Sequence, residues 1–385
     1  MYQTDVISPR ELSQADILAW RAMQDATPAL ASPLLGPEFA LAVAAVRSDA
    51  RVAVWRRRGR AAGFLAHHRR PGGVARPIGA PFSDYHGLVS HPRVKLDAGE
   101  ALRSAGLSAL RLSGLVDPFD ILQGGVAIRM RSHRIVLNDT PLAYFNQLRT
   151  RNGACLKIYR RDRARIEREV GPLTIVAPDR DAGAFDRLLN WKRAQFVQAG
   201  ARDVLGAPWS SALMRRLFET RDDEFQGLMI SLYAGDRLIA GHFGVRRRDW
   251  FHPWIGAHDP EMETYSPGVL HQMEAVAAMP DLRLRTYDLG PGQDPWKPMF
   301  ALDGAWVGAG LATAPTLLGC AAKFGDAAWR LGLLPATPRV GRLRRRLEQM
   351  LAIEPSTRGR LPGAGRAPPS RLPRSPERPP QERAA

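Results

Sequence analysis

The chain has 385 residues, 45% of them hydrophobic, and a formal net charge of +17. That length accommodates two ordinary domains or one duplicated core, and the apolar fraction is that of a globular protein with a sizeable interior. Its two cysteines, Cys155 and Cys320, stand too far apart for metal-ligand spacing and read as buried apolar side chains rather than a disulfide, which fits a reducing compartment.

The charge is unevenly spread. Seven arginines against Glu377 and Glu382 place about five positive charges in residues 355–385, and roughly twelve remain on the body. Such a surplus favours anionic partners, whether nucleotide cofactors, phosphorylated substrates, an acidic membrane face or nucleic acid, without choosing among them.

In chain order, the opening "MYQTDVISPRELSQADILAW" has early acidic residues and no apolar stretch of the secretory type, so no signal peptide is expected. "VAVWRRRGRAAGFL" (52–65) reads as strand, tight turn, strand. It superimposes without a gap on "ISLYAGDRLIAGHF" (230–243), with Val54 on Leu232, Trp55 on Tyr233 and Gly63 on Gly241. "RPIGAPFSD" (76–84) then parallels "HPWIGAHDP" (252–260), and each is followed by a helical stretch and a short strand. The common order of elements predicts two copies of one α/β unit.

Between the copies, Arg160 to Glu169 forms a charged helix with opposite charges at helical spacing, stopped by Gly171-Pro172. A solvated linker and a substrate-binding element both fit it. An amphipathic helix over 185–200 carries Phe185, Leu188, Leu189, Lys192, Phe196 and Val197 and ends at Gly200; a second helix follows, capped by Ser210 or Ser211.

The third strand of the second copy, "WFHPWIGAHD", alternates. Alternation puts Phe251, Ile255 and Ala257 on one face and Trp250, His252, Trp254 and His258 on the other, a face equally suited to a pocket wall and to core. Ser266 can cap a helix whose first residue is Pro267, and the N–H groups and dipole of such a start suit a phosphate. "LRLRTYDLGPG" adds a strand ending near Asp288, and Trp296 and Lys297 follow its glycines.

The uncharged run Ala305–Ala322 is broken by Pro315 and three glycines and reads as a last core strand entering a packed helix rather than a membrane span. "RVGRLRRRLEQMLAI" (339–353) reads as a short basic helix with Val340, Leu343, Leu347 and Leu351 on one side, suited to solvent or to a membrane surface. Residues 355–385 are rich in Pro, Arg, Gly and Ser and read as disordered.

Four stretches, "NWKRAQF…DVL", "AGHFGVR", "YSPGVLHQMEA" and "YDLGPGQDPWKPMF", resemble the GNAT-type acyltransferase domain of bacterial CelD-like cellulose and exopolysaccharide biosynthesis proteins. That domain is similar to the Fem-type peptidyltransferases, which consist of two GNAT units. The resemblance is strongest over 150–303 and holds in order over 15–145. It implies an α/β (α+β) fold of tandem GNAT-like units, each a mixed, mainly antiparallel sheet flanked by helices. The implied divisions are a degenerate unit at 1–145, an acyltransferase unit at 146–310, a helical segment at 311–354 and the tail.

The resemblance also implies acetyl-CoA or another acyl-CoA as co-substrate, and no metal. Its pantetheine would lie between Phe251–Ala257 and Arg285–Leu289, against Ile255, Gly256, Leu289 and Gly290. The pyrophosphate would sit at Ser266, Gly268 and Val269. Here the chain departs from the commoner pattern of Arg or Gln before a glycine-rich turn, because it offers one glycine and no arginine. Trp254, Trp296 and Lys192 would contact the acceptor. Lys297 would face a phosphate or the developing oxyanion, or else lie at the surface.

Acyl transfer also needs a group to take the nucleophile's proton. The candidates are His258, His252, Asp259 and Asp288. Titration near neutrality favours the histidines, while Asp259 also suits a turn and Asp288 a strand end. The implied function is an acyl-CoA-dependent N- or O-acyltransferase acting on a sugar or lipid-linked sugar in exopolysaccharide or cellulose assembly, in the cytoplasm or at the inner membrane face. A Fem-like aminoacyl transfer from charged tRNA, and a non-catalytic partner of a polysaccharide synthase, are the alternatives; other nucleic-acid binding is not expected.

Overall fold

The computed structural model describes residues 2–330. The basic helix expected over 339–353 and the tail of 355–385 lie outside the described residues.

The chain opens with β1 (Gln3–Ile7), α1 (Gln14–Asp25) and α2 (Pro37–Ala44). The hairpin β2 (Ala50–Arg57) and β3 (Arg60–Arg69) turns through Arg58 and Gly59, both at positive φ, as a two-residue primed turn requires. β4 (Val74–Pro77), β5 (Val89–Ser90), α3 (Ala98–Ser104), β6 (Ala109–Leu115) and β7 (Val126–Val136) follow. α4 (Pro141–Glu169), kinked at Asn152, leads to β8 (Leu173–Val176), α5 (Ala182–Gln198) and α6 (Pro208–Glu219). Then come β9 (Phe225–Ala234), β10 (Arg237–Arg247), β11 (Trp250–His258), α7 (Pro267–Ala278), β12 (Thr286–Pro291), α8 (Lys297–Phe300), β13 (Trp306–Thr313) and α9 (Leu317–Arg330).

One sheet runs β1-β2-β3-β4-β6-β13-β7-β12-β11-β10-β9-β8, with β5 beside β3. Its ladders are antiparallel except β4–β6 and β11–β12. Read inward from either edge, the two halves repeat the same sequence of pairings, so the fold is a tandem of two like units, mixed and mainly antiparallel and flanked by helices, the arrangement that the resemblance implies. The central strands are exchanged. β7 follows the first unit in sequence but pairs with β12, and β13 follows the second but pairs with β6. The two also pair with each other, and residue 145 falls inside α4.

One apolar layer spans both units, from Trp20, Leu30 and Phe39 to Phe185, Leu213 and Phe243. On the opposite face α7 and α4 cover the second unit, with Met273, Val276 and Cys155 buried there. The charged stretch of α4 therefore packs rather than floats: Ile166 is buried and Tyr159 donates to Glu274 at 2.7 Å. Three local expectations are corrected. α6 starts at Pro208, ahead of Ser210 and Ser211, whose hydroxyls instead donate back to Val204 and Leu205 carbonyls. Val197 is exposed, because α5 turns it away from the sheet. Both cysteines are free, but only Cys155 is buried.

In each unit the parallel pair touches for two residues and then separates. β4 meets β6 only at Val74↔Ala109 and Ala75↔Leu110; β11 meets β12 only at Trp250↔Thr286 and Phe251↔Tyr287. In the first unit the gap is filled by the chain itself. The backbone of His86 bridges to Leu115, accepting from Val116 N–H and donating to the Gly114 carbonyl. Gly87 and Gly114 permit this close approach, since a Cβ at either would overlap a carbonyl oxygen, of Val116 and Asp84 respectively. In the second unit the gap stays open.

Candidate active site

The open gap is a cleft of about 610 Å³. β11 and α7 form one wall, and β12 with the segment leading into α8 forms the other. Past Phe251 the β12-facing backbone of β11 has no strand partner among the described residues, which leaves its polar groups available to an extended ligand.

A β-bulge shapes the β11 wall. Phe243 pairs with Ile255 and Gly244 with Pro253, leaving Trp254 as the extra residue. The bulge shifts alternation by one, so the expected face of Trp250, His252, Trp254 and His258 does not exist as a unit. Trp250 and His252 oppose Arg247 and Val245, whereas His258 and Gly256 oppose Ala240 and His242 on the side of α7. Trp254 leans on Phe39 and Phe82 of the first unit, with ring centroids at 5.7 and 6.0 Å, and still lines the cleft.

Behind Gly256 stands His242, a residue that sequence reasoning missed. A Cβ on Gly256 would lie 2.9 Å from its Nε2, so the glycine leaves the ring room at the cleft wall. Its Nδ1 is 2.6 Å from the Tyr287 hydroxyl. Burial, with the charges of His271 and Lys192, holds the His242 pKa well below the ordinary value, and burial raises that of Tyr287 well above it. Both are therefore neutral around pH 7. With the ring proton on Nδ1, donated to Tyr287 Oη, the Nε2 lone pair is free to accept a proton.

Other buried polar atoms line the same wall. His271 lies with its ring centroid 4.3 Å from that of His242 and donates from Nε2 to the Ile230 carbonyl at 2.9 Å. Its Nδ1, both amide atoms of Gln272 and Trp254 Nε1 are buried without a partner among the described residues. Groups of this kind are normally satisfied, so the wall suits a ligand with polar groups of its own. The start of α7 opens into the cleft beside Gly268, where a Cβ would meet nothing within 4 Å. These features fit the amide-rich arm and phosphates of an acyl-CoA.

Residues 153–298 match the family model for an acetyltransferase (GNAT) domain. The chain is similar at 11% identity to a tandem GNAT protein from the clavulanic acid biosynthesis pathway, over 82% of this chain and 99% of that one, with a TM-score of 0.46. It is similar at 12% identity to the C-terminal domain of a protein described as a lysylphosphatidylglycerol synthetase from Agrobacterium fabrum, over 74% and 90%, with a TM-score of 0.45. Similarity to FemX is 11% over 68% and 87%, with a TM-score of 0.45. Among curated proteins no sequence matches.

Within the matched stretch, Lys192, Trp254, Gly256, His258, Ser266, Gly268, Val269, Leu289, Trp296 and Lys297 all line the cleft. Lys192 donates to the Gly256 carbonyl at 3.2 Å, and burial lowers its pKa. His258 is half-buried, and burial lowers its pKa too, against the pull of Glu263 and Asp259. Lys297 donates to the Pro291 carbonyl at 2.8 Å and pairs with Asp294 at 2.9 Å, so it braces the turn after β12. Ser266 makes no side-chain cap: it sits at φ 49°, and its backbone carbonyl instead accepts from Val269 and Leu270.

Five expected residues, Ile255, Asp259, Asp288, His252 and Gly290, are not among those that line the cleft. Ile255 is buried in the layer under α5 and α6. Asp259 caps the turn at Pro260 and pairs with Arg237 at 2.6 Å. Asp288 is fully buried, accepting from Tyr85 at 2.8 Å, Gly290 N–H at 2.9 Å and Trp250 at 3.2 Å, which leaves it no reach to a substrate. His252 is likewise buried, 3.0 Å from Asp84 and 3.7 Å from Asp288. Burial opposes its charge, but the two carboxylates prevail and raise its pKa to about 9, so it is charged at neutral pH and unfit as a base. Gly290, at φ 76°, instead turns β12 past Asp84, which among the described residues is the first-unit residue that lines the cleft.

Among the described residues no group of three His, Cys, Asp or Glu side chains could hold a metal, and no helix is long and apolar enough to cross a membrane.

Proposed function

We propose that the second unit transfers an acyl group from a coenzyme A thioester to an amine or hydroxyl of a sugar or lipid-linked sugar. The observation that carries this reading is the parting of β11 from β12 with a neutral, phenol-bound imidazole directly behind Gly256. The thioester supplies an activated carbonyl. The acceptor nitrogen or oxygen bonds to that carbon, the C–S bond breaks, and the acceptor's proton passes through His242 Nε2 to the departing sulfur. Lys192, held at the Gly256 carbonyl, contributes positive charge beside the reacting carbonyl oxygen.

The sugar acceptor rests on the resemblance to CelD-like proteins and on the two indoles, Trp254 and Trp296, that flank the cleft. Asp84 and Asp294 also line the cleft, each already paired with a cation, His252 and Lys297, so they do not choose between an amine and a hydroxyl. The test is calorimetric titration of acetyl-CoA, followed by release of free CoA thiol in the presence of glucosamine. Saturable one-site binding and amine-dependent thiol release support the reading. Absence of binding at millimolar acetyl-CoA refutes it.

A further inference from the structure

α9 is amphipathic in the inverted sense. Its acidic residue faces the protein: Asp326 is held 3.0 Å from Arg111 Nη1 of β6. Gly319 presses on the backbone, where a Cβ would lie 2.8 Å from the Ser108 carbonyl oxygen. The outward face is apolar. Leu317 is 91% exposed, Leu318 59% and Phe324 74%, with Cys320 and Ala321 exposed between them. Leu317, Ala321 and Phe324 follow the i, i+4, i+7 spacing of one helix face, the stripe that a surface helix ordinarily turns toward the core. Lys323 is the cation within this exposed stretch.

The sequence that follows α9 indicates what covers this face. Residues 331–385 contain twelve arginines and four glutamates, with no lysine or aspartate, so nearly half of the chain's net positive charge adjoins the apolar stripe. An apolar helix face next to an arginine-rich segment complements an anionic lipid surface. Leucine and phenylalanine enter the headgroup boundary while guanidinium groups pair with phosphates. A fourteen-residue helix, about 21 Å long, lies on a bilayer rather than spanning it.

We propose that α9 docks the protein on anionic membrane surface, through Leu317, Leu318 and Phe324, with the arginines that follow supplying electrostatic attraction. This inference stands independently of the acyl-transfer reading.

The test is co-sedimentation of the full chain with phosphatidylcholine vesicles and with vesicles containing about one quarter phosphatidylglycerol, at low and high salt. The wild type is expected to partition at least about tenfold more strongly onto the anionic vesicles. The variant Leu317→Ser/Phe324→Ser, altered only at exposed positions, is expected to lose at least about tenfold of that binding with an unchanged melting curve. Three results overturn the proposal: no binding by the wild type, undiminished binding by the variant, which would assign the effect to the arginines alone, or a vesicle-free dimer that the variant breaks, which would make a second copy the occupant.

Discussion

Asp84 Oδ2, in the first unit, lies 3.0 Å from His252 Nε2, in the second. The contact joins the segment that fills the first unit's gap to the strand that walls the second unit's cleft. One side of His252 meets Asp84 and the other faces Asp288, which in turn accepts from Tyr85, the residue after Asp84. The first unit thus reaches the second through a buried cation held between two carboxylates.

Stability is expected to depend on pH through this contact. Burial opposes protonation of His252, but Asp288 and Asp84 outweigh it and raise its pKa to about 9, above the roughly 6.5 of an unfolded histidine. A raised folded pKa stabilises fully below about pH 6.5, and that stabilisation, on the order of 3 kcal/mol, fades as pH climbs through 9. Denaturation midpoints should fall between pH 6.5 and 9.5, and His252→Asn should flatten that slope. Parallel slopes for the two proteins would refute the assignment.

Replacing His242 by Asn should lower turnover by about 10²- to 10⁴-fold while changing acetyl-CoA affinity by less than about threefold. Because burial holds its pKa well below the ordinary value, lowering pH from 7.5 to 6 should not reduce activity through this residue. Tyr287→Phe, which removes only the orienting phenol, should cost about tenfold in rate. Steady-state kinetics with a calorimetric Kd separates these effects.

At Gly256 a methyl group would stand 2.9 Å from His242 Nε2. Gly256→Ala should therefore push the imidazole out of line and narrow the cleft, abolishing most activity while the melting midpoint moves by only a few degrees, on the order of 1 kcal/mol. A variant as active as the wild type would exclude His242 as the base.

Two glycines at similar φ should behave very differently. Gly114, at φ 87°, has the Asp84 carbonyl where a Cβ would go; Gly59, at φ 77°, has nothing within 4 Å. Gly59→Ala should cost about 1 kcal/mol of backbone strain, whereas Gly114→Ala should expel the inserted segment and cost more than about 3 kcal/mol. Chemical denaturation of both variants measures the difference.

Local features were legible in the sequence. Both hairpins follow from their alternation and turn residues, the two copies from the order of their elements, and the start of α7 from Pro267. Lys192, Trp254 and Lys297, singled out in the sequence, all line the cleft. What escaped depended on one residue or on distant chain. A bulge at Trp254 reassigns the faces of β11, and no alternation pattern announces it. His242 reads in isolation as an ordinary strand histidine beside Gly241; its importance comes from Gly256 and Tyr287, on other strands. Asp84 lies 168 residues from His252, and only the folded insertion brings them together.

The exchanged strands make assembly of the two units a single event. β6 and β7 have open edges until β13 arrives between them, almost 170 residues after β7 ends. During synthesis the first half therefore waits, incomplete and prone to pair with a neighbouring chain, for the last strand of the second. Expressed separately, each half would carry a strand belonging to the other, so co-expressed halves should find each other before either finds its fold.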